Sequence, residues 1–334
     1  MLRLTALICC LAGPGLAQDV TLRMHQFQTG DANVPRHVLS AWEDRVETAS
    51  GGRIEIQRFD AMALGGSPAD LYDQVVDGVV DVVWTLPGYS AGRFPRAEVF
   101  ELPFIMTDPV ATSRAYWRLG DEVLNETDFK DVKVLGLWVH GPGVLHSQVS
   151  IRNVEDLRGV TLRAPSRITN RLFSDLGATT VGMPVPAVPE ALSRHVIEAT
   201  ALPWEVTGSL RIAELVDTHT EFAEPIYTAT YILAMNRQSW EALPDDLKAV
   251  IDAESGEDFS VFAARNTFVH DAPARAIAED LGNEIITLDL TETDEWRQAS
   301  QPTIDSWIKE MTDRGIDGSE ILDRARTLIA ESAE

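Results

Sequence analysis

Residues 245–281 read DDLKAVIDAESGEDFSVFAARNTFVHDAPARAIAEDL. The composition is helical and is interrupted only at Gly256 and Pro273, so the stretch predicts a helix over about 245–281. The usual helix is far shorter. One of this length outruns a single compact layer and can brace two domains. Upstream, Val20-Thr21-Leu22-Arg23-Met24 alternates as a strand does. Residues 38–48 put Leu39, Trp42 and Val46 on one helical face, and Gly51-Gly52 stops them. Arg53-Ile54-Glu55-Ile56-Gln57 alternates again, 69–77 is helical up to Gly78, and Val79 to Trp84 is a buried strand. Strand, helix, strand, helix, strand predicts a mostly parallel sheet with helices on both faces. A second α/β unit of the same style begins near Gly141-Pro142-Gly143, and 226–235 is a β-branched run able to return to the first sheet. The expected domains are 18–140 with 229–270, and 141–228 with 271–334. Ligands in such folds sit at the C-terminal ends of strands, here in a cleft between the two domains.

The chain's 334 residues suit two ordinary domains. Apolar residues at 45% and charged residues at 24% describe a folded chain. A net charge of −24, with no Lys/Arg cluster, excludes nucleic acid and anionic membrane as partners, since both need a cationic face. Arg3, the apolar 4–11 and Gly15-Leu16-Ala17 read as a secretory signal peptide over 1–17. No run is long enough to insert in a bilayer. Both cysteines, Cys9 and Cys10, fall inside that segment. The mature chain then has no disulfide, thiolate chemistry or Cys-ligated metal, which fits a bacterial periplasm.

Enzyme signatures are missing. The seven histidines never pair at i,i+4 on a helix, and a metal site on His140 and His146 is a weak reading. Gly65-Gly66-Ser67-Pro68 imitates a nucleophile elbow, but Pro68 has no N–H to give an oxyanion hole. Neither a catalytic residue nor a cofactor is expected. The aromatic residues and one arginine are more informative. Trp84 ends a buried strand, and Trp204 follows Leu202-Pro203 at the end of another in the second domain. Both are ordinary core residues unless the strand tips face the cleft. Arg163 ends Val160-Thr161-Leu162 ahead of Ala164-Pro165-Ser166, a position suited to an anion in the cleft, although an arginine in a strand is most often a surface charge.

At these residues the chain resembles the periplasmic solute-binding proteins of TRAP transporters. The resemblance runs over nearly all of the mature chain. It is carried by Ser50-Gly51-Gly52-Arg53-Ile54, Leu64-Gly65-Gly66, Gly78-Val79-Val80-Asp81-Val82-Val83, PRAEVFELPF over 95–104, DLRGVTLRAP over 156–165, and Gly177-Ala178 with Met183-Pro184. It implies a two-domain periplasmic binding protein-like α/β fold with a long bracing helix. It also implies a membrane permease on a separate chain as partner, and a carboxylate-binding arginine at Arg163. Ser166 falls where a polar ligand contact is common. The candidate ligand contacts are Arg163, Ser166, Trp84, Trp204, Leu202, Tyr89, Phe27 and His140. Three positions depart from the sugar-acid pattern. Leu202 replaces an asparagine, Gly143 stands where sialic-acid binders place a second arginine, and Leu86 stands where they place an acid. A hydroxyl-rich ligand would lose about 1–3 kcal/mol per unpaired group against such a wall. The expectation is a small monocarboxylate, such as a hydroxy or keto acid. A uronic or aldonic acid, a dicarboxylate, or a secreted hydrolase activity are the alternatives.

Overall fold

A computed structural model describes residues 20–333; the expected signal segment lies outside them. The chain begins β1 (Val20–His25), α1 (Ser40–Ala49), β2 (Ile54–Phe59), α2 (Leu71–Val76), β3 (Val82–Thr85), α3 (Pro109–Glu122) and β4 (Val132–Val139). β1 pairs in parallel with β2 and β3. A second unit follows: β5 (Val144–Ser147), β6 (Thr161–Ala164), α4 (Arg167–Asp175), β7 (Thr179–Gly182), α5 (Val188–Ser193), β8 (Ala199–Leu202), α6 (Trp204–Leu210) and β9 (Thr218–Phe222). The chain then returns. β10 (Thr230–Asn236) inserts antiparallel between β3 and β4, completing a first sheet of order β2-β1-β3-β10-β4. α7 (Arg237–Ala242), α8 (Asp245–Ala253), α9 (Gly256–Phe268) and α10 (Asp271–Leu281) lead to β11 (Glu284–Leu288), which closes the second sheet as β11-β9-β5-β8-β6-β7. α11 (Leu290–Asp313) and α12 (Gly318–Ser332) end the chain.

The expected single helix over 245–281 is corrected to three, α8, α9 and α10. Gly256 adopts φ +87°, a left-handed backbone that closes one helix and opens the next. Pro273, in the first turn of α10, lacks the N–H that a helix continuing through Val269 would need. The bracing helix is α11 instead. Its Trp296 belongs to the second unit's core, whereas the Trp307 Nε1 donates to the Pro95 carbonyl of the first unit (3.2 Å), and Ile304, Trp307 and Met311 join the larger core that includes the first sheet. At 24 residues it is about 36 Å long, enough to reach both. α12 then packs against α3, so the chain finishes on the first unit.

The two crossing segments, 140–143 and 223–229, are hydrogen-bonded to each other. The Gly143 N–H donates to the Tyr227 carbonyl (3.0 Å) and the His140 N–H to the Ala229 carbonyl (3.3 Å). The ends of β1, β3, β4, β6 and β8, and the start of antiparallel β10, therefore converge on one level between the sheets.

Candidate functional site

A cavity lies at this level, walled by both units. Phe27 and Gln28 follow β1, Leu86 and Tyr89 follow β3, and His140 follows β4. From the other unit come Arg163 of β6, Ala201 and Leu202 of β8, Val185 and Val206. This matches the rule that α/β folds bind ligands beyond the carboxyl ends of their strands.

Arg163 is fully buried. Its Nε donates to the Met183 carbonyl (2.9 Å) and its Nη1 to the Ala201 carbonyl (3.1 Å), while Nη2 has no partner. Among the described residues no carboxylate pairs with it. Burial lowers its pKa from the ordinary arginine value, and the surrounding Tyr89, Tyr227 and Tyr231 oppose that. Guanidinium nevertheless stays protonated in proteins. An unpaired buried cation costs several kcal/mol, and an anion delivered to Nη2 removes that cost with a charge-assisted hydrogen bond. The Tyr227 hydroxyl is likewise buried without a partner, and the Tyr89 hydroxyl accepts from the Val185 N–H (3.1 Å), one unit bonding to the other. Burial raises the pKa of Tyr89 and Tyr227, so both are neutral donors. Gln28 adds a buried acceptor, Oε1, with no partner.

His140 lines the cavity as a neutral ring. Its Nδ1–H donates to the Gly141 carbonyl (2.6 Å) and its Nε2 accepts from the Ala229 N–H (3.0 Å), an arrangement assigned from the network. Both nitrogens are thereby occupied, and burial pushes its pKa down to about 4. His146, the other histidine of the weak metal reading, is bonded instead to His219 and the Leu202 carbonyl.

The sequence-derived candidates separate into three groups. Phe27, Tyr89, His140, Arg163 and Leu202 meet at the cavity. Trp84 and Ser166 stand just behind its wall. Strand alternation puts residues 84 and 86 on one face; Leu86 reaches the cavity, and Trp84 lies one step back with Phe27 stacked on it (centroids 4.7 Å, 21°). Ser166 caps α4, accepting from the Thr169 N–H (3.3 Å). Trp204 lies elsewhere. Pro203 turns the strand into α6, so alternation no longer places 202 and 204 together. The Trp204 Nε1 donates to Glu221 (2.8 Å), its ring packs on His146 and His219, and it faces a separate groove beside Val144 and Phe268.

Tyr227, Tyr231 and Gln28 are cavity residues that sequence reasoning missed. Residues 227, 229 and 231 all line the cavity, a period of two that was legible within the run 226–235. Gly143 explains the missing second arginine. A Cβ there would lie 2.0 Å from the Tyr227 ring, so the tyrosine fills the space any side chain would need.

Residues 29–310 match the family model described as bacterial extracellular solute-binding protein, family 7. A TRAP solute-binding protein from Rhodoferax ferrireducens, solved with copurified benzoate, is 45% identical; the match covers 94% of this chain and 98% of that one, with a TM-score of 0.92. A marine metagenome TRAP solute-binding protein specific for aromatic acid ligands, solved with 3-hydroxybenzoate, is 38% identical over 95% of this chain and 100% of that one, also with a TM-score of 0.92. A Bordetella bronchiseptica TRAP periplasmic solute-binding protein, solved with (R)- and (S)-mandelate, is 25% identical over 93% and 99%, with a TM-score of 0.86. With the family model covering most of its length and a TRAP solute-binding protein 45% identical over 94% of it, this chain belongs to the TRAP-transporter solute-binding proteins of family 7.

Proposed function

We propose that the protein is the periplasmic receptor of a TRAP transporter for small aromatic monocarboxylates, which it binds between its two units and delivers to a membrane permease. The observation that carries this reading is the Arg163 guanidinium, buried with Nη2 unpartnered at one end of a cavity otherwise walled by Phe27, Leu86, Val185, Leu202, Val206 and Tyr231. One carboxylate satisfies Nη2 and the Tyr227 hydroxyl. The ring contributes roughly 25 cal/mol for each Å² of apolar surface it buries. A second carboxylate or a run of sugar hydroxyls would meet Leu86 and Leu202 and go unpaired, so dicarboxylates and sugar acids fit poorly. A single ring hydroxyl has an acceptor in Gln28 Oε1. The benzoate and 3-hydroxybenzoate found in similar proteins agree with this chemistry. The role is binding without turnover, and the 1–17 segment is read as the export signal.

Calorimetry on the mature protein with benzoate, 3-hydroxybenzoate, mandelate, cyclohexanecarboxylate, succinate and galactonate tests the proposal. Aromatic monocarboxylates should bind at least tenfold tighter than succinate or galactonate, with every ligand recovered unchanged. Tighter binding of galactonate or succinate would overturn it.

A further inference from the structure

Beyond its apolar wall the cavity has a neighbour. A second chamber shares four wall residues with it: Phe27, Gln28, Val185 and Val206. The polar groups that would hold the carboxylate, Arg163, Tyr89 and Tyr227, line the inner cavity alone. The two spaces therefore adjoin along residues other than these polar groups. The outer chamber's own lining is mainly apolar, with Ala32 and Met62 from one unit and Pro186 and Leu210 from the other. One rim is held open by strained backbone. Ala61 and Met62 are consecutive non-glycine residues in the left-handed region (φ 52° and 58°). Their N–H groups donate to the carbonyls of Gln28 (2.8 Å) and Gln26 (3.1 Å). Such conformations persist where surrounding structure fixes them, and they gather at ligand sites.

We infer that the outer chamber is a second subsite, and that the receptor takes aromatic monocarboxylates carrying an apolar substituent on the ring edge opposite the carboxylate. The inference rests on the aromatic-acid reading of the inner cavity. In it the ring passes between Phe27 and Val206, and an alkyl chain continues onto Met62, Pro186 and Leu210. Benzoate alone leaves this chamber to water.

Calorimetry with benzoate and 4-butylbenzoate tests it, together with the Ser209→Trp variant. Ser209 lies on the exposed side of α6 at the chamber wall, so a bulky ring can fill the chamber without entering the core. Wild-type protein should bind 4-butylbenzoate about fivefold or more tighter than benzoate, through the added buried methylenes. Ser209→Trp should weaken 4-butylbenzoate at least tenfold while benzoate changes less than twofold, and Ser209→Ala should leave both unchanged. Benzoate binding with 4-butylbenzoate excluded overturns the subsite alone. So does an equal loss of both acids in Ser209→Trp. Binding of neither acid by the wild type overturns the aromatic-acid reading and the subsite with it.

Discussion

On the proposed reading Arg163 serves both ligand and fold, and mutation separates the two. Arg163→Ala removes the counter-charge of a bound carboxylate and should weaken aromatic-acid binding by about 2–5 kcal/mol in calorimetry. It also strips the Met183 and Ala201 carbonyls of their donors, so the ligand-free protein should lose about 1–3 kcal/mol of stability in urea unfolding. Arg163→Lys should restore only part of the affinity, because an ammonium lacks the planar fork that pairs with a carboxylate through two parallel bonds. Near-normal affinity in Arg163→Ala would remove the residue from the site. Gly143 is the sharper steric test. The added methyl of Gly143→Ala would lie 2.0 Å from the Tyr227 ring, which lines the cavity and must shift. Overpacking of this kind costs about 1–3 kcal/mol. Affinity should fall while the circular dichroism spectrum stays that of the wild type. Unchanged affinity would mean that the ring moves without narrowing the cavity.

The paired strands β5 and β9 carry a titration of their own. Register places His146 opposite His219, and their Nδ1 atoms lie 2.7 Å apart. His146 Nε2–H donates to the Leu202 carbonyl, which leaves its Nδ1 to accept from His219 Nδ1–H, so one proton sits between the two rings. A second proton would set two N–H groups against each other. Burial, and for His146 the neighbouring His219, hold both groups low, His219 at about 4 and His146 well below its usual value. Their folded pKa values lie below the unfolded value of about 6.5. Their contribution to stability is therefore present above pH 6.5 and is lost as pH falls toward 4. His219→Gln should flatten the decline of the melting temperature between pH 6.5 and 4.5 relative to wild type. Parallel curves would show that the pair does not govern the acid limb.

Arg163 is wholly buried, and on the proposed reading the two units part to admit the ligand. Small-angle scattering should then give a smaller radius of gyration with benzoate than without, and superimposable curves at saturating ligand would exclude closure. One contact across the units adds a pH dependence. The Asn33 Nδ2 donates to Glu205 Oε2 (2.9 Å), where burial, reinforced by Asp271, raises the Glu205 pKa to about 8. Burial also lifts Asp271 to about 7. A carboxyl whose pKa is raised in the closed form favours closure below its ordinary value of about 4.3, and that preference is lost as pH rises through 8. Benzoate affinity of the wild type should therefore fall between pH 6 and 9. Glu205→Gln, which keeps an acceptor for Asn33 and cannot ionise, should fall less. Equal declines would assign the effect to Asp271 or another group.

Local pattern alone determined much of this protein. Alternation and turn residues marked the strand–helix–strand run over 20–85, because the periods of two and 3.6 are set by backbone geometry and the faces they bury. The position of Arg163 at a strand end before Pro165 was readable in the same way, as was the period-two trio at 227, 229 and 231. That neither tryptophan lines the cavity was decided only by packing. Trp84 lies near the end of β3 and Trp204 follows β8, yet Phe27 covers the first and the turn at Pro203 carries the second to another groove. The bracing element was decided at that level too. Helical composition favoured 245–281, but local breaks split it, and α11 took the role because its two ends bury tryptophans in different cores. Composition reports what a segment forms locally. Where its side chains find partners depends on segments far away in sequence, and those meet only in the folded chain.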